Sequence, residues 1–163
     1  MTICVIPARG GSKRIPKKNI KSFSGKPMIQ WAIEAAQESN IFDQIIVSTD
    51  DEAIADISKD LGALVPFKRS QELSEDVSSE LVILDILKYF KDLFDDDSII
   101  VMLQPTTPFI TSNDIDECIR KLVENNNSNS CVTVKKVSEY PEWMILQRTD
   151  FSGSHKIKSD VSI

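Results

Sequence analysis

Short apolar runs rich in β-branched residues alternate along the chain with stretches whose apolar residues recur every three or four positions. The first run, TICVIP at Thr2–Pro7, reads as a buried strand. Residues 27–39 read as a helix, with Pro27 at its first position and Met28, Ala32, Ala35 and Ala36 along one face. A second strand is expected at Gln44–Ser48 (QIIVS), then a helix capped by Asp50 or Asp51 that runs to about Leu61 and is stopped by Gly62. Residues 63–67 read as a short third strand.

Ser78 is placed to cap a longer helix through Phe90, with Leu81, Leu84 and Leu87 at helical spacing. Residues 98–103 (SIIVML) read as a fourth strand. Thr111 followed by Asp114 resembles a capping box for a helix to about Glu124, whose buried face would hold Ile115, Cys118, Ile119 and Leu122. The Asn-rich stretch 125–129 reads as a turn, and residues 130–134 (SCVTV) as a fifth strand. No internal repeat is visible. Regular β-α alternation of this kind predicts an α/β fold, a mostly parallel sheet with helices on both faces. Ligands gather beyond the carboxyl ends of such strands. That rule selects the loops after Pro7, Ser48, Phe67 and Leu103.

Composition adds one asymmetry to this picture. Of 163 residues, 41% are hydrophobic and 27% charged, as in an ordinary globular domain. The net charge is −6, yet residues 1–33 hold seven basic residues and no acid, leaving 12 basic against 25 acidic in the rest. One basic segment in an acidic protein points to a local anion site. Nucleic-acid binding would favour a basic surface on the whole domain. No apolar run approaches the roughly 20 residues that span a bilayer, and Arg9 follows the first apolar stretch instead of preceding it, the reverse of a signal peptide. A cytoplasmic location, without membrane association, is the expectation. Cys4, Cys118 and Cys131 are far apart and not in metal spacing, which predicts reduced, buried thiols.

The basic segment contains the loop after the first strand, Ala8-Arg9-Gly10-Gly11-Ser12-Lys13-Arg14-Ile15-Pro16-Lys17-Lys18-Asn19. Paired glycines let backbone N–H groups approach a ligand closely. Ser12 adds a hydroxyl, Arg9 a fork that matches phosphate oxygens, and Lys13 and Lys18 compact positive charge. Triphosphate chemistry needs this combination, because charge builds on the departing pyrophosphate. Neither G-x-x-x-x-G-K-[ST] nor G-x-G-x-x-G occurs in the chain. The plain alternative is a tight glycine turn whose lysines face solvent.

The stretch PARGGSKRIPKKN is very similar to the signature of the acylneuraminate cytidylyltransferases and their legionaminate and pseudaminate relatives. The resemblance continues through VSTDD at 47–51, KRSQELSEDVSS at 68–79 and LQPTTP at 103–108, and covers roughly residues 3–144. It implies a Rossmann-like three-layer fold of the nucleotide-diphospho-sugar transferase type. It also implies transfer of CMP from CTP to a nine-carbon sialic-acid-type sugar, with pyrophosphate released.

Carried over by position, Ala8, Arg9, Ser12, Lys13, Lys18 and Asn19 would hold the CTP phosphates and ribose, with Arg9 and Lys18 as the catalytic cations and Lys18 on the α-phosphate. Arg69 and Ser78 fall on the family's base-contact positions, and Glu80 stands where the family usually has a small hydroxyl residue. Gln104, aimed by the two prolines of Gln104-Pro105-Thr106-Thr107-Pro108, matches the sugar-side glutamine. Plain readings stand beside these: helix capping for Ser78 and for Asp50 or Asp51, with a wall of the pocket as the other role for the two acids, and an ordinary turn for 104–108. His155, the single histidine, lies far from every motif, which argues against histidine-based catalysis or metal binding. Trp31 and Trp143 read as core or interface groups.

The related Kdo cytidylyltransferases lack the GGSK stretch and match less well. The resemblance also implies Mg2+, held by an acidic D-x-D-type pair, and a homodimer in the full-length family. The acidic pair has no counterpart here, so the metal ligands are unassigned. Residues 1–146 are expected to form the nucleotide-binding domain, and 147–163 a polar tail that opens a further C-terminal portion. A catalytically inactive nucleotide-binding module, or a nucleotidyltransferase for another sugar such as Kdo, are the alternatives that sequence leaves open.

Overall fold

The computed structural model describes residues 1–12, 14–74, 77–91, 94, 95, 97–125, 128–134, 145, 146, 155 and 156. Two compact units are present, Met1–Cys131 and Val132–Ile163.

In the first unit, β1 (Thr2–Pro7) lies between β4 (Gln44–Ser48) and β5 (Ile99–Met102), and both pairings are parallel. A two-residue antiparallel hairpin, β2 (Ser22–Phe23) with β3 (Lys26–Pro27), leads into helix α1 (Met28–Ser39). Helices α2 (Glu52–Asp60), α3 (Gln71–Ser74), α4 (Ser79–Tyr89) and α5 (Ser112–Glu124) complete the unit. Among the described residues of the second unit, β6 (Ile145–Leu146) pairs antiparallel with β7 (His155–Lys156).

β1 is apolar at consecutive positions because both its faces are covered. Cys4 and Ile6 point into a cluster with Ile29, Ala32, Ile33 and Ala36 of α1, Ile54 of α2, and Ile115 and Ile119 of α5. Ile3 and Val5 point into a second cluster with Ile46 and with Ile86 of α4. The sheet is therefore the middle of three layers, as expected. Burial pushes the Cys4 thiol up to about 12, so it stays protonated inside the core.

Local chemistry sets the helix ends. Asp51 caps α2, its Oδ1 accepting from the Ile54 N–H at 3.0 Å. Gly62 then takes φ +84°, a left-handed position that ends the helix. The capping box of α5 is present, Thr111 and Asp114 each accepting from the other's backbone N–H. Pro27 is the N-cap of α1, one position before the first helical residue, because it closes the β2–β3 hairpin. On the buried side of α1 are Ile29, Ala32, Ile33, Ala35 and Ala36, with Met28 half-buried.

Four expectations are corrected. Residues 63–67 do not form a strand, although Leu64 bridges β4 in parallel: the Leu64 N–H donates to the Ile45 carbonyl and the Val47 N–H to the Leu64 carbonyl, both at 2.8 Å. The next donor in that ladder would be residue 66, a proline without an N–H. The chain leaves the ladder there and rejoins it when the Arg69 N–H donates to the Thr49 carbonyl at 2.8 Å. Residues 130–134 are not a strand either; Val132 and Val134 are 75% and 88% exposed, with no packed face to reward the extended alternation. The buried residues of α4 are Val82 and Ile86, while Leu81 and Leu84 are 46% and 48% exposed. Finally, Cys118 and Cys131 are only partly buried, and burial, helped by the neighbouring Cys131 thiol, pushes Cys118 up to about 11.

Counting the 64–68 segment as an edge, sheet order is 64–68, β4, β1, β5. The chain moves outward in one direction from β1 through β4, then returns to β1's other side with β5. The order reverses between β1 and β5, and open α/β sheets bind ligands beyond the carboxyl ends at such a reversal.

Candidate functional site

The loop that leaves β1 is fixed at both its ends. The Ala8 N–H still donates to the Ser48 carbonyl at 2.9 Å, so the chain leaves the sheet only at Arg9. The Gly10 N–H donates to Asp50 Oδ1 at 2.9 Å, and the Gly10 carbonyl accepts from the Ser12 N–H at 3.0 Å. A Cβ on Gly10 would sit 2.7 Å from Asp51 Cβ, closer than the two can approach, so the second loop seats against a bare backbone. At the far end, Lys17 adopts φ 51° and opens a single 3-10 turn, Lys18–Ile20. Buried Asn19 in that turn donates from Nδ2 to the Arg9 carbonyl at 2.9 Å. The last part of the loop is thereby tied to its first residue, which sets Arg9, Ser12 and Lys18 around one rim. Lys13 lies outside the described residues.

That rim borders a cavity of about 280 Å³ at the β1–β5 reversal. Pro7, Arg9, Ser12, Lys18 and Asn19 line one side, and Gln104, Pro105 and Thr106, after β5, line another. Arg69, Val77, Ser79 and Val82 close the remainder. Among the described residues the lining holds three cationic side chains and no carboxylate, with Asp50 as the neighbouring acid beside Arg69. Such a lining favours an anion.

Arg69 is the most informative of the three. Its side chain is 3% exposed, yet Nε and Nη2 have no hydrogen-bond acceptor. Asp50 Oδ1 stands 3.7 Å from Nη2, an ion pair longer than a hydrogen bond. Burial pulls the Arg69 guanidinium below its ordinary value, Asp50 opposes that shift, and the charge of Arg9 adds to it. Buried donors without acceptors are uncommon because each carries a desolvation penalty. Arg69 borders the cavity, so a bound ligand is one source of the missing acceptors.

On the β5 side, the Thr107 N–H and hydroxyl both donate to the Gln104 carbonyl, at 3.1 and 2.7 Å, making a tight turn above buried Pro105. The Gln104 side chain stays exposed at the mouth, with the Thr106 hydroxyl 3.5 Å from its Oε1.

Of the residues singled out from sequence, Arg9, Ser12, Lys18, Asn19, Arg69 and Gln104 converge on one cavity. Ala8 is fully buried beneath it and contributes backbone. Ser78 occupies the N-cap position of α4 without capping it, and its hydroxyl bonds to Glu80, holding that carboxyl below its ordinary value. Ser79 lines the cavity where Ser78 does not. Sequence reasoning missed Val77, Ser79, Val82 and Thr106. Their signal was the α4 face: a helix buried through Val82 and Ile86 turns Ser79 toward the cavity. Asp51 takes the capping role, and Asp50 ties two loops together.

No group of three or more His, Cys, Asp or Glu residues that could hold a metal occurs among the described residues. Asp50 is committed to Gly10 and Arg69. These residues do not supply a cage for the magnesium that the resemblance implies. No helix of the described residues is long and apolar enough to cross a membrane.

The sequence profile of the cytidylyltransferases matches residues 3–147. The chain belongs to the cytidylyltransferase family. It is 40% identical over 129 residues to a pseudaminic acid cytidylyltransferase of Campylobacter jejuni, a match covering 77% of this chain and 54% of that protein. It is 41% identical over 146 residues to a CMP-N,N'-diacetyllegionaminic acid synthase of Legionella pneumophila, covering 86% of this chain and 60% of that protein. Among solved structures, a CMP:2-keto-3-deoxy-manno-octonic acid synthetase complexed with CTP superposes with a TM-score of 0.64 at 25% identity, over 76% of this chain and 48% of that one. The chain thus spans between 48% and 60% of the length of these proteins.

Proposed function

We propose that this chain is the CTP-binding part of a cytidylyltransferase that transfers CMP from CTP to a nine-carbon sialic-acid-type sugar and releases pyrophosphate. One observation carries the reading: three cations, one of them a buried arginine with free N–H donors, meet at the β1–β5 reversal with no carboxylate among the described lining residues. A triphosphate is the kind of anion that Arg9 and Lys18 can neutralise while Arg69 meets another part of the nucleotide, and the family assignment makes CTP the natural one. A solved structural neighbour holds CTP, and the relatives above take pseudaminic or legionaminic acid, both nine-carbon sugar acids.

In this reading a hydroxyl oxygen of the sugar attacks the α-phosphorus in line. The new P–O bond forms as the bond to the β-phosphate oxygen breaks, and the electron pair leaves with pyrophosphate. Lys18 sits against the α-phosphate and Arg9 against the departing phosphates, where negative charge grows. The Ser12 hydroxyl and Lys13 hold the triphosphate. Asn19 fixes the loop and faces the ribose, and Ala8 supports it from below. Arg69 and Ser79 face the base, with Ser78 beside them outside the cavity lining, while Gln104 offers both a donor and an acceptor to the sugar acid.

Magnesium enters on the family's account, to offset phosphate charge, with ligands unassigned in this chain. A homodimer of the whole protein and a cytoplasmic location complete the proposal.

Pyrophosphate release is the test. With CTP, magnesium and a panel of sialic, legionaminic and pseudaminic acids, release is expected with CTP and at least one of these sugars. UTP should support little. CTP binding with no release from any sugar would instead favour a nucleotide-binding module, and release with Kdo alone would move the substrate to the eight-carbon acid.

A further inference from the structure

We infer that Asp50 is a positioning residue that locks the phosphate-facing loop and the buried Arg69 into one arrangement through a single oxygen atom. This deepens the nucleotide reading above and rests on it. Oδ1 of Asp50 accepts the Gly10 N–H at 2.9 Å and lies 3.7 Å from Arg69 Nη2. Gly10 in turn carries the Ser12 N–H on its carbonyl and directly follows Arg9, so its orientation sets where both lining side chains stand. Arg69 comes from the opposite edge of the sheet, beyond β4, held by its own N–H on Thr49.

The carboxylate is suited to the task because it stays behind the cavity. It lends Arg69 a counter-charge while the site is empty, yet at 3.7 Å it leaves Nε and Nη2 without an acceptor. An incoming ligand meets a guanidinium that is already charged and already held beside the cavity. Preorganisation of this kind raises affinity by removing ordering and desolvation costs from the binding step.

Two substitutions separate the two contacts. Asp50→Asn keeps an oxygen for the Gly10 N–H but removes the charge facing Arg69; Asp50→Ala removes both. CTP affinity by titration calorimetry is expected to fall about tenfold for Asp50→Asn and further for Asp50→Ala. In an Arg69→Met background, Asp50→Asn should cost nothing more, while Asp50→Ala should still cost through Gly10. Should Arg69→Met fail to fold, Arg69→Gln is a neutral alternative with the same expectation.

Additive losses from Asp50→Asn and the Arg69 variant would overturn the coupling, as would an unchanged affinity for Asp50→Asn. A purely structural aspartate would lower the melting temperature in every background without this background-dependent change in affinity. Absence of CTP binding by the unaltered chain overturns the nucleotide reading itself. That failure appears before any variant is made, so the two are told apart.

Discussion

A single missing methyl group decides how the two loops meet. Gly10 and Gly11 are neighbours in the same turn, but only Gly10 lies against another part of the chain, where a Cβ would fall 2.7 Å from Asp51 Cβ. Around Gly11 nothing lies within 4 Å. Asp51 cannot retreat without releasing the Ile54 N–H that it caps. Gly10→Ala is therefore expected to destabilise the fold by about 1–3 kcal/mol through overpacking, whereas Gly11→Ala should stay within about 0.5 kcal/mol. Urea unfolding of the two variants checks this; equal costs would show that the close approach is not a constraint. Sequence marked both glycines as phosphate-loop residues on the same ground. The difference between them is a contact between Gly10 and Asp51, far apart in sequence, which composition cannot express. The same is true of Asp50, whose two bonds become visible only when the loops after β1 and β4 stand side by side.

At the scale of elements, the phase of α4 shapes one wall of the cavity. Its sequence, SELVILDILKY, is apolar on nearly every side, so leucine spacing and isoleucine-valine spacing fit a helix equally well. Packing chooses Val82 and Ile86, because α4 meets Ile3, Val5 and Ile46 on the sheet. Ile86→Ala should cost about 2–5 kcal/mol by leaving a cavity, and Leu84→Ala less than about 1 kcal/mol. The reverse ranking in denaturant melts would restore the leucine face. Elements with one strong signal were legible: β1 and β4 as unbroken β-branched runs, and the start of α5 from Thr111 and Asp114. Residues 63–67 were not, because a lone proline cancels a ladder bond that propensity alone favours. Residues 130–134 have strand composition but no face to bury, and burial is what strand propensity mostly reports.

Across the whole molecule, an acidic protein concentrates positive charge where its sheet order reverses. Fold and site therefore point to the same place for independent reasons, one topological and one electrostatic. Much of that site was legible from sequence, because Arg9, Ser12, Lys18 and Asn19 fall within eleven consecutive residues of one loop. The nucleotide account depends on that loop gripping a triphosphate. Titration calorimetry of CTP into the chain, alongside the double variant Arg9→Ala, Lys18→Ala, is its most direct test. Loss of two charge-assisted contacts should weaken binding at least about 100-fold while the circular dichroism spectrum is unchanged. Undiminished CTP affinity in that folded double variant would contradict the account.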